Sequence, residues 1–221
     1  MEFVRESMPD RKRQRYGDVD YDWEHRVDTT SANLGWRDRL AGLFLSPYQP
    51  TESTLFHEML VSLGIDYSSF TFIDLGSGKG RTLLMAAEYP FIRVIGVELL
   101  PKLHEIASAN IAKYKSDTQK CFALEALCQD ACDYVFPDEP MVLYLFNPLP
   151  ESGLDRVMSN LRESLRDRPR TIYVLYHNPL LEEVLTRAAV LRKVAGTHQF
   201  SVFTNSLTVD LHPKVRAGRL R

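Results

Sequence analysis

Residues 72–84 read FIDLGSGKGRTLL, three glycines and a lysine held between two apolar runs. Glycines placed after a strand and at the start of a helix leave the backbone bare, so a ligand can approach while the first helical N–H groups point at it. Spacing then separates the ligands. A phosphate-cradling loop needs GxxxxGK followed by Ser or Thr, but Gly78-Lys79 is followed by Gly80, and Ile73 stands where the first glycine belongs. A dinucleotide fingerprint needs GxGxxG, and Arg81 replaces its last glycine, leaving GxGxG. That mismatch makes NAD the weaker reading of the turn. Asp74, an acid at the strand end, suits a cation and repels a phosphate.

Further polar residues recur at the ends of apolar runs. Glu98 closes Val94-Ile95-Gly96-Val97, 18 residues beyond Gly80. A ribose-binding acid belongs roughly 20 residues beyond such a turn. A carboxylate can accept both ribose hydroxyls, and charge-assisted hydrogen bonds of this kind contribute about 1.5 to 3 kcal/mol. The next run ends in Cys128-Gln129-Asp130-Ala131, where Asp130 is placed to cap a short helix. Two more runs end in Asn147-Pro148-Leu149-Pro150 and Tyr176-His177-Asn178-Pro179. An Asn-Pro pair ends a strand in a turn. A histidine with its ordinary pKa near 6.5 can take a proton from a nucleophile, and at a helix start it serves equally as a cap. Cys121, Cys128 and Cys132 match no CxxC spacing and are expected as free thiols.

These residues need a frame that brings strand ends to one rim. From residue 70, short apolar runs alternate with helical patterns, the mark of a parallel sheet built from βαβ units. Strands are expected at Thr71 to Leu75, Arg93 to Glu98, Cys121 to Leu127, Met141 to Phe146 and Thr171 to Tyr176. Helices are expected near 79–89, 101–115, 151–166 and 179–190, the third carrying Leu154, Val157, Met158, Leu161 and Leu165 at helical spacing. The segment LRKVAGTHQFSVFTNSL adds two strands joined near Gly196. The expected fold is therefore α/β, a doubly wound, mostly parallel seven-stranded sheet with helices on both faces. In such a sheet, ligands sit outside the carboxyl ends of the strands.

The 221 residues, 44% of them hydrophobic, are enough for one core and one principal domain. Residues 1–27 read as a charged, solvated extension, 28–210 as the domain and 211–221 as a basic tail. A formal net charge of -2 gives no global pull toward nucleic acid or membrane. No apolar stretch reaches the roughly 20 residues of a membrane helix, and the first residues lack a signal-peptide core, so a cytoplasmic protein is expected. Upstream of the first strand, Thr51 reads as the N-cap of a helix carrying Leu55, Phe56, Met59, Leu60 and Leu63.

The turn Asp74-Leu75-Gly76-Ser77-Gly78-Lys79-Gly80 resembles the S-adenosylmethionine turn of class I, seven-strand Rossmann-like methyltransferases. Together with Tyr48-Gln49-Pro50-Thr51 and GVEL at 96–99, it resembles the non-SET protein-lysine methyltransferases, in which the upstream segment closes over the cofactor. It is closer to a bacterial class I group of unassigned substrate, sharing Val27-Asp28-Thr29, EYPF at 88–91 and YLFNP at 144–148. The resemblance spans about residues 27–205. It implies S-adenosylmethionine as cofactor and S-adenosylhomocysteine as product, held by Tyr48, Thr51, Asp74, Gly76, Ser77, Gly78, Gly80, Glu98, Leu99, Asp130, Ala131 and Asn147. Asp130 takes the place of the acid that bonds the adenine amino group, alongside its capping role.

Asn147, His177 and Tyr176 are the candidate catalytic residues facing the acceptor, and no metal site is expected. In amino-group methyltransferases the Asn147-Pro148 place continues with a second proline and an aromatic. Leu149 and Pro150 replace them, which speaks against a planar nucleobase amine. The resemblance implies methyl transfer to a nitrogen, a protein lysine among the candidates, with a small-molecule N- or O-acceptor next. A protein that binds the cofactor but has lost the chemistry is a reading of another class.

Overall fold

The continuous apolar runs form strands because both faces of a central parallel sheet are covered, leaving no polar side to alternate with. A computed structural model describes residues 19–30 and 50–207. In chain order its elements are α1 (Val19–His25), α2 (Ser53–Ser62), a 3₁₀ turn (Tyr67–Ser69), β1 (Thr71–Leu75), α3 (Arg81–Ala86), β2 (Val94–Glu98) and α4 (Pro101–Lys113). There follow β3 (Leu124–Cys128), a second 3₁₀ turn (Ala131–Asp133), β4 (Met141–Leu145), α5 (Glu151–Asp167), β5 (Ile172–His177), α6 (Glu182–Arg187), β6 (Arg192–Gly196) and β7 (Phe200–Thr204).

The seven strands lie in the order β3-β2-β1-β4-β5-β7-β6. β1 pairs in parallel with both β2 and β4, while β7 runs antiparallel between β5 and β6. The strand order reverses between β1 and β4, so the crevice outside their carboxyl ends is where such a sheet takes a ligand.

Strand periodicity sends alternate residues to opposite faces. Phe72, Tyr144 and Leu175 pack with Phe56, Met59 and Leu83 of α2 and α3 on one face. Ile73, Leu143 and Val174 pack with Leu154, Val157 and Leu161 of α5 on the other.

Four elements depart from expectation. β3 begins at Leu124 rather than Cys121, because the amides of Lys120 and Cys121 donate to Ala87 O at the end of α3 instead of to β2. α3 stops at Ala86, four residues short of Pro90, whose ring disfavours helix in the residue before it. His177 belongs to β5 and does not start a helix; residues 178–181 form a turn before α6. The extension read as solvated up to residue 27 contains α1, whose Tyr21 is 7% exposed and joins the core cluster with Leu84 and Tyr114, while Trp23, Glu24 and Arg26 stay exposed.

Candidate functional site

The turn after β1 is folded by its glycines. Gly76, Gly78 and Gly80 have φ of +84°, +55° and +81°, a region that strains other residues. The amides of Gly76 and Ser77 donate to Val97 O at 2.8 and 3.1 Å, tying the turn to β2. A Cβ on Gly76 would stand 2.5 Å from the Pro148 Cβ, so the turn meets the corner after β4 only because this residue has no side chain. Ser77 Oγ is buried without a hydrogen-bond partner. A buried hydroxyl left this way costs about 1 to 3 kcal/mol, and this one lies over Gly96 of β2, where a Cβ would stand 2.7 Å from it.

Two carboxyls border the turn. Glu98, 6% exposed, accepts from the Gly78 amide at Oε2 and the Leu100 amide at Oε1, both at 2.8 Å. Burial raises its pKa, and the amide hydrogen bonds oppose that rise. Each oxygen retains a second lone pair for a ligand hydroxyl. Asp74 is buried at the end of β1, accepts from the Thr82 hydroxyl, and is pushed up to about 7 by burial. Leu99 stands half out of the rim at 41% exposure. Asp130 Oδ1 accepts from the Cys132 amide at 2.8 Å, the helix-capping role expected of it, and Ala131 beside it is buried.

Neither cation of the turn faces that ligand side. Lys79, 3% exposed, bonds Asp28 Oδ1 at 2.6 Å. Arg81, 2% exposed, donates to Thr51 O and to Thr29 Oγ1, both at 2.9 Å, and lies 4.2 Å over the Tyr21 ring. Asp22, 3.6 Å from Arg81, accepts from the Thr30 amide and hydroxyl. Asn110 completes the clamp, accepting from the Asp28 amide and donating to Asp28 O and Lys79 O. Residues 21–30 are thereby fastened onto the back of the glycine turn. The motif reading passes over Lys79, Arg81 and Asn110; the signal was present in two cations inside a glycine turn and an acid in Val27-Asp28-Thr29.

The corner after β4 and β5 is a polar lattice. Asn147 and Asn178, each before a proline, have φ of +45° and +48°. Asn147 Nδ2 donates to Asn178 O at 2.7 Å, and Asn147 Oδ1 accepts from the Tyr176 hydroxyl at 2.9 Å. Tyr176 is fully buried, and its hydroxyl also accepts from the Leu181 amide at 3.2 Å. It orients Asn147. His177, 9% exposed, stacks on Phe146 at 3.9 Å and pairs Nδ1 with the Tyr144 hydroxyl at 2.8 Å. Tyr144 in turn shares a 2.9 Å hydrogen bond with Thr51 Oγ1. Burial depresses His177 to about 4, so its ring is neutral near pH 7 and a weak base. Thr51 is not the expected N-cap. Glu52 holds that place without a side-chain cap, because the Thr51 hydroxyl is turned inward to Tyr144. Tyr48 lies outside the described residues.

No protein-family model matches the chain, and no curated protein matches it. Solved structures do. A predicted N6-adenine-specific DNA methylase from Listeria monocytogenes is similar over 71% of this chain and 51% of its own, at 14% identity and a TM-score of 0.51. The chain has the Rossmann-like methyltransferase fold. A ribosomal protein L11 methylase from Lactobacillus delbrueckii subsp. bulgaricus is similar over 69% of this chain and 76% of its own, at 14% identity and a TM-score of 0.47. An RNA methyltransferase from Salinibacter ruber, in complex with S-adenosylhomocysteine, is similar over 74% and 99%, at 21% identity and a TM-score of 0.43.

On the Rossmann-like methyltransferase fold, the glycine turn, Glu98, Asp130, Asn147 and His177 all follow or end strands at the carboxyl rim. Among the described residues no three His, Cys, Asp or Glu side chains group as a metal site, and no helix is long and apolar enough to cross a membrane.

Proposed function

We propose that this protein transfers a methyl group from S-adenosylmethionine to a nitrogen nucleophile. The observation that carries the reading is the acidic border of the glycine turn. Asp74 and Glu98 stand beside a backbone with an unpartnered Ser77 hydroxyl, while Lys79 and Arg81 are turned away onto residues 21–30. That border suits a ligand bearing ammonium and ribose hydroxyls and opposes a pyrophosphate. When bound, S-adenosylmethionine supplies a sulfonium methyl for in-line displacement, a reaction that needs chiefly proximity and an unprotonated nucleophile.

The turn Gly76 to Gly80 and Ser77 would hold its methionine part, Glu98 the ribose, and Leu99, Asp130 and Ala131 the adenine side. Thr51 bears on the site through Tyr144. At the β4 corner, Asn147 is locked by Tyr176 and Asn178 with a lone pair of Oδ1 still able to receive an N–H. His177, neutral and depressed to about 4, is poorly matched to removing the proton of an alcohol or phenol near pH 7. A neutral amine, already deprotonated by water, needs no such base. A protein lysine, whose ordinary pKa is near 10.4, fits once its ammonium has given its proton to water and the free amine meets Asn147 Oδ1.

Calorimetric titration of S-adenosylhomocysteine tests the cofactor reading. Micromolar binding by the wild type and about 10-fold or weaker binding by Glu98→Ala are expected, as loss of a charged hydrogen-bond pair implies. A wild type that ignores the ligand and retains NAD overturns it.

A further inference from the structure

A groove of about 820 Å³ lies away from the strand ends, between α1, the start of α2, the end of α3 and the 115–122 loop. Glu88 follows Gly80 by one short helix, a rise of roughly 12 Å, so the groove is separate from the glycine turn. Among the described residues, three carboxylates, Glu24, Glu88 and Asp117, line it together with Lys115, His25 and His57. Glu88 is only 22% exposed and stands 3.5 Å from His57 Nε2. Tyr21 forms part of the wall and is 7% exposed, with its hydroxyl against that of Tyr114. Phe122, which lines the groove, is 78% exposed.

We propose that this groove binds an arginine- or lysine-bearing segment of a partner polypeptide. Carboxylates in a partly enclosed groove attract a guanidinium or ammonium, and they repel nucleic-acid phosphates. An aromatic face beside them adds a cation–π contribution. A small cation would have no use for Phe122 standing in solvent. A polypeptide does, because exposed aromatics of this size are the anchors that protein interfaces enrich. The proposal stands independently of methyl transfer.

Fluorescence anisotropy of a labelled Arg-Gly repeat peptide with the full chain, at about 0.15 M salt, tests it. The wild type binds, and a Glu-Gly repeat peptide does not. The double variant Glu24→Gln/Asp117→Asn and the single variant Phe122→Ser each weaken binding about 10-fold. These side chains are exposed, and unchanged melting temperatures confirm that the fold survives. The charge-matched control Glu163→Gln/Asp167→Asn, on the outer face of α5, binds as the wild type does. No binding by the wild type, or equal weakening in the control pair, overturns the proposal.

Discussion

Asp74 and His177 carry opposite consequences of the same cause. Burial removes water from each and disfavours the charged form, pushing the acid up to about 7 and the imidazole down to about 4. For Asp74 the folded state therefore holds its proton more tightly than the unfolded chain, whose carboxyl titrates near 3.9. Its contribution to stability is fully present below about pH 4 and is lost as pH rises through about 7. Each pH unit across that interval is worth roughly 1.4 kcal/mol at most. Asp74→Asn cannot ionise, so the variant gains on the wild type by about 1 to 3 kcal/mol between pH 5 and pH 8. Urea midpoints of both proteins at the two pH values measure the gain. A constant difference would mean that Asp74 titrates near its ordinary value.

At the scale of elements, the strands and the glycine turn were legible because their causes are local. Buried parallel strands write themselves as unbroken apolar runs, and three glycines between β1 and α3 declare a turn needing positive φ. Glu98 was legible by its distance from that turn. What was hidden depends on partners far along the chain. Thr51 satisfies every local rule for an N-cap, yet its hydroxyl bonds Tyr144, 93 residues away. Residues 19–27 look solvated because their charges are visible and Arg81, which collects them 52 residues downstream of Thr29, is not. Arg81 is thus the fastener of α1. Replacing it with Met leaves Asp22 and Thr51 O without their cation, and breaking a buried pair this way costs about 3 to 5 kcal/mol. Arg81→Met should melt well below the wild type and be cut faster by trypsin at Arg26. Lys79→Met should cost less, since its partner Asp28 is 64% exposed and water takes over its hydration. Equal losses from the two variants would deny Arg81 its special place.

For the whole molecule, the glycine turn, β2, β4 and the segment 21–30 are cross-tied through Val97, Pro148, Lys79 and Arg81. A ligand that settles in the turn braces all four at once, so its binding energy should appear as global stability. A ligand that binds only the folded state stabilises by about 2.7 kcal/mol at a concentration 100 times its Kd. In a chain of this size each kcal/mol moves the melting temperature by roughly 2 to 4 °C, giving a rise of about 5 to 11 °C with S-adenosylhomocysteine. Glu98→Ala, binding about 10-fold more weakly, keeps about 1.4 kcal/mol of that stabilisation at the same ligand concentration and so about half the rise. NAD at equal concentration should move nothing, because the turn spaces its glycines GxGxG, the Asp74 carboxyl stands beside it and Lys79 is held by Asp28. A rise with NAD and none with S-adenosylhomocysteine would reassign the turn to a dinucleotide despite its GxGxG spacing, and would leave Glu98 as the ribose acid in either case.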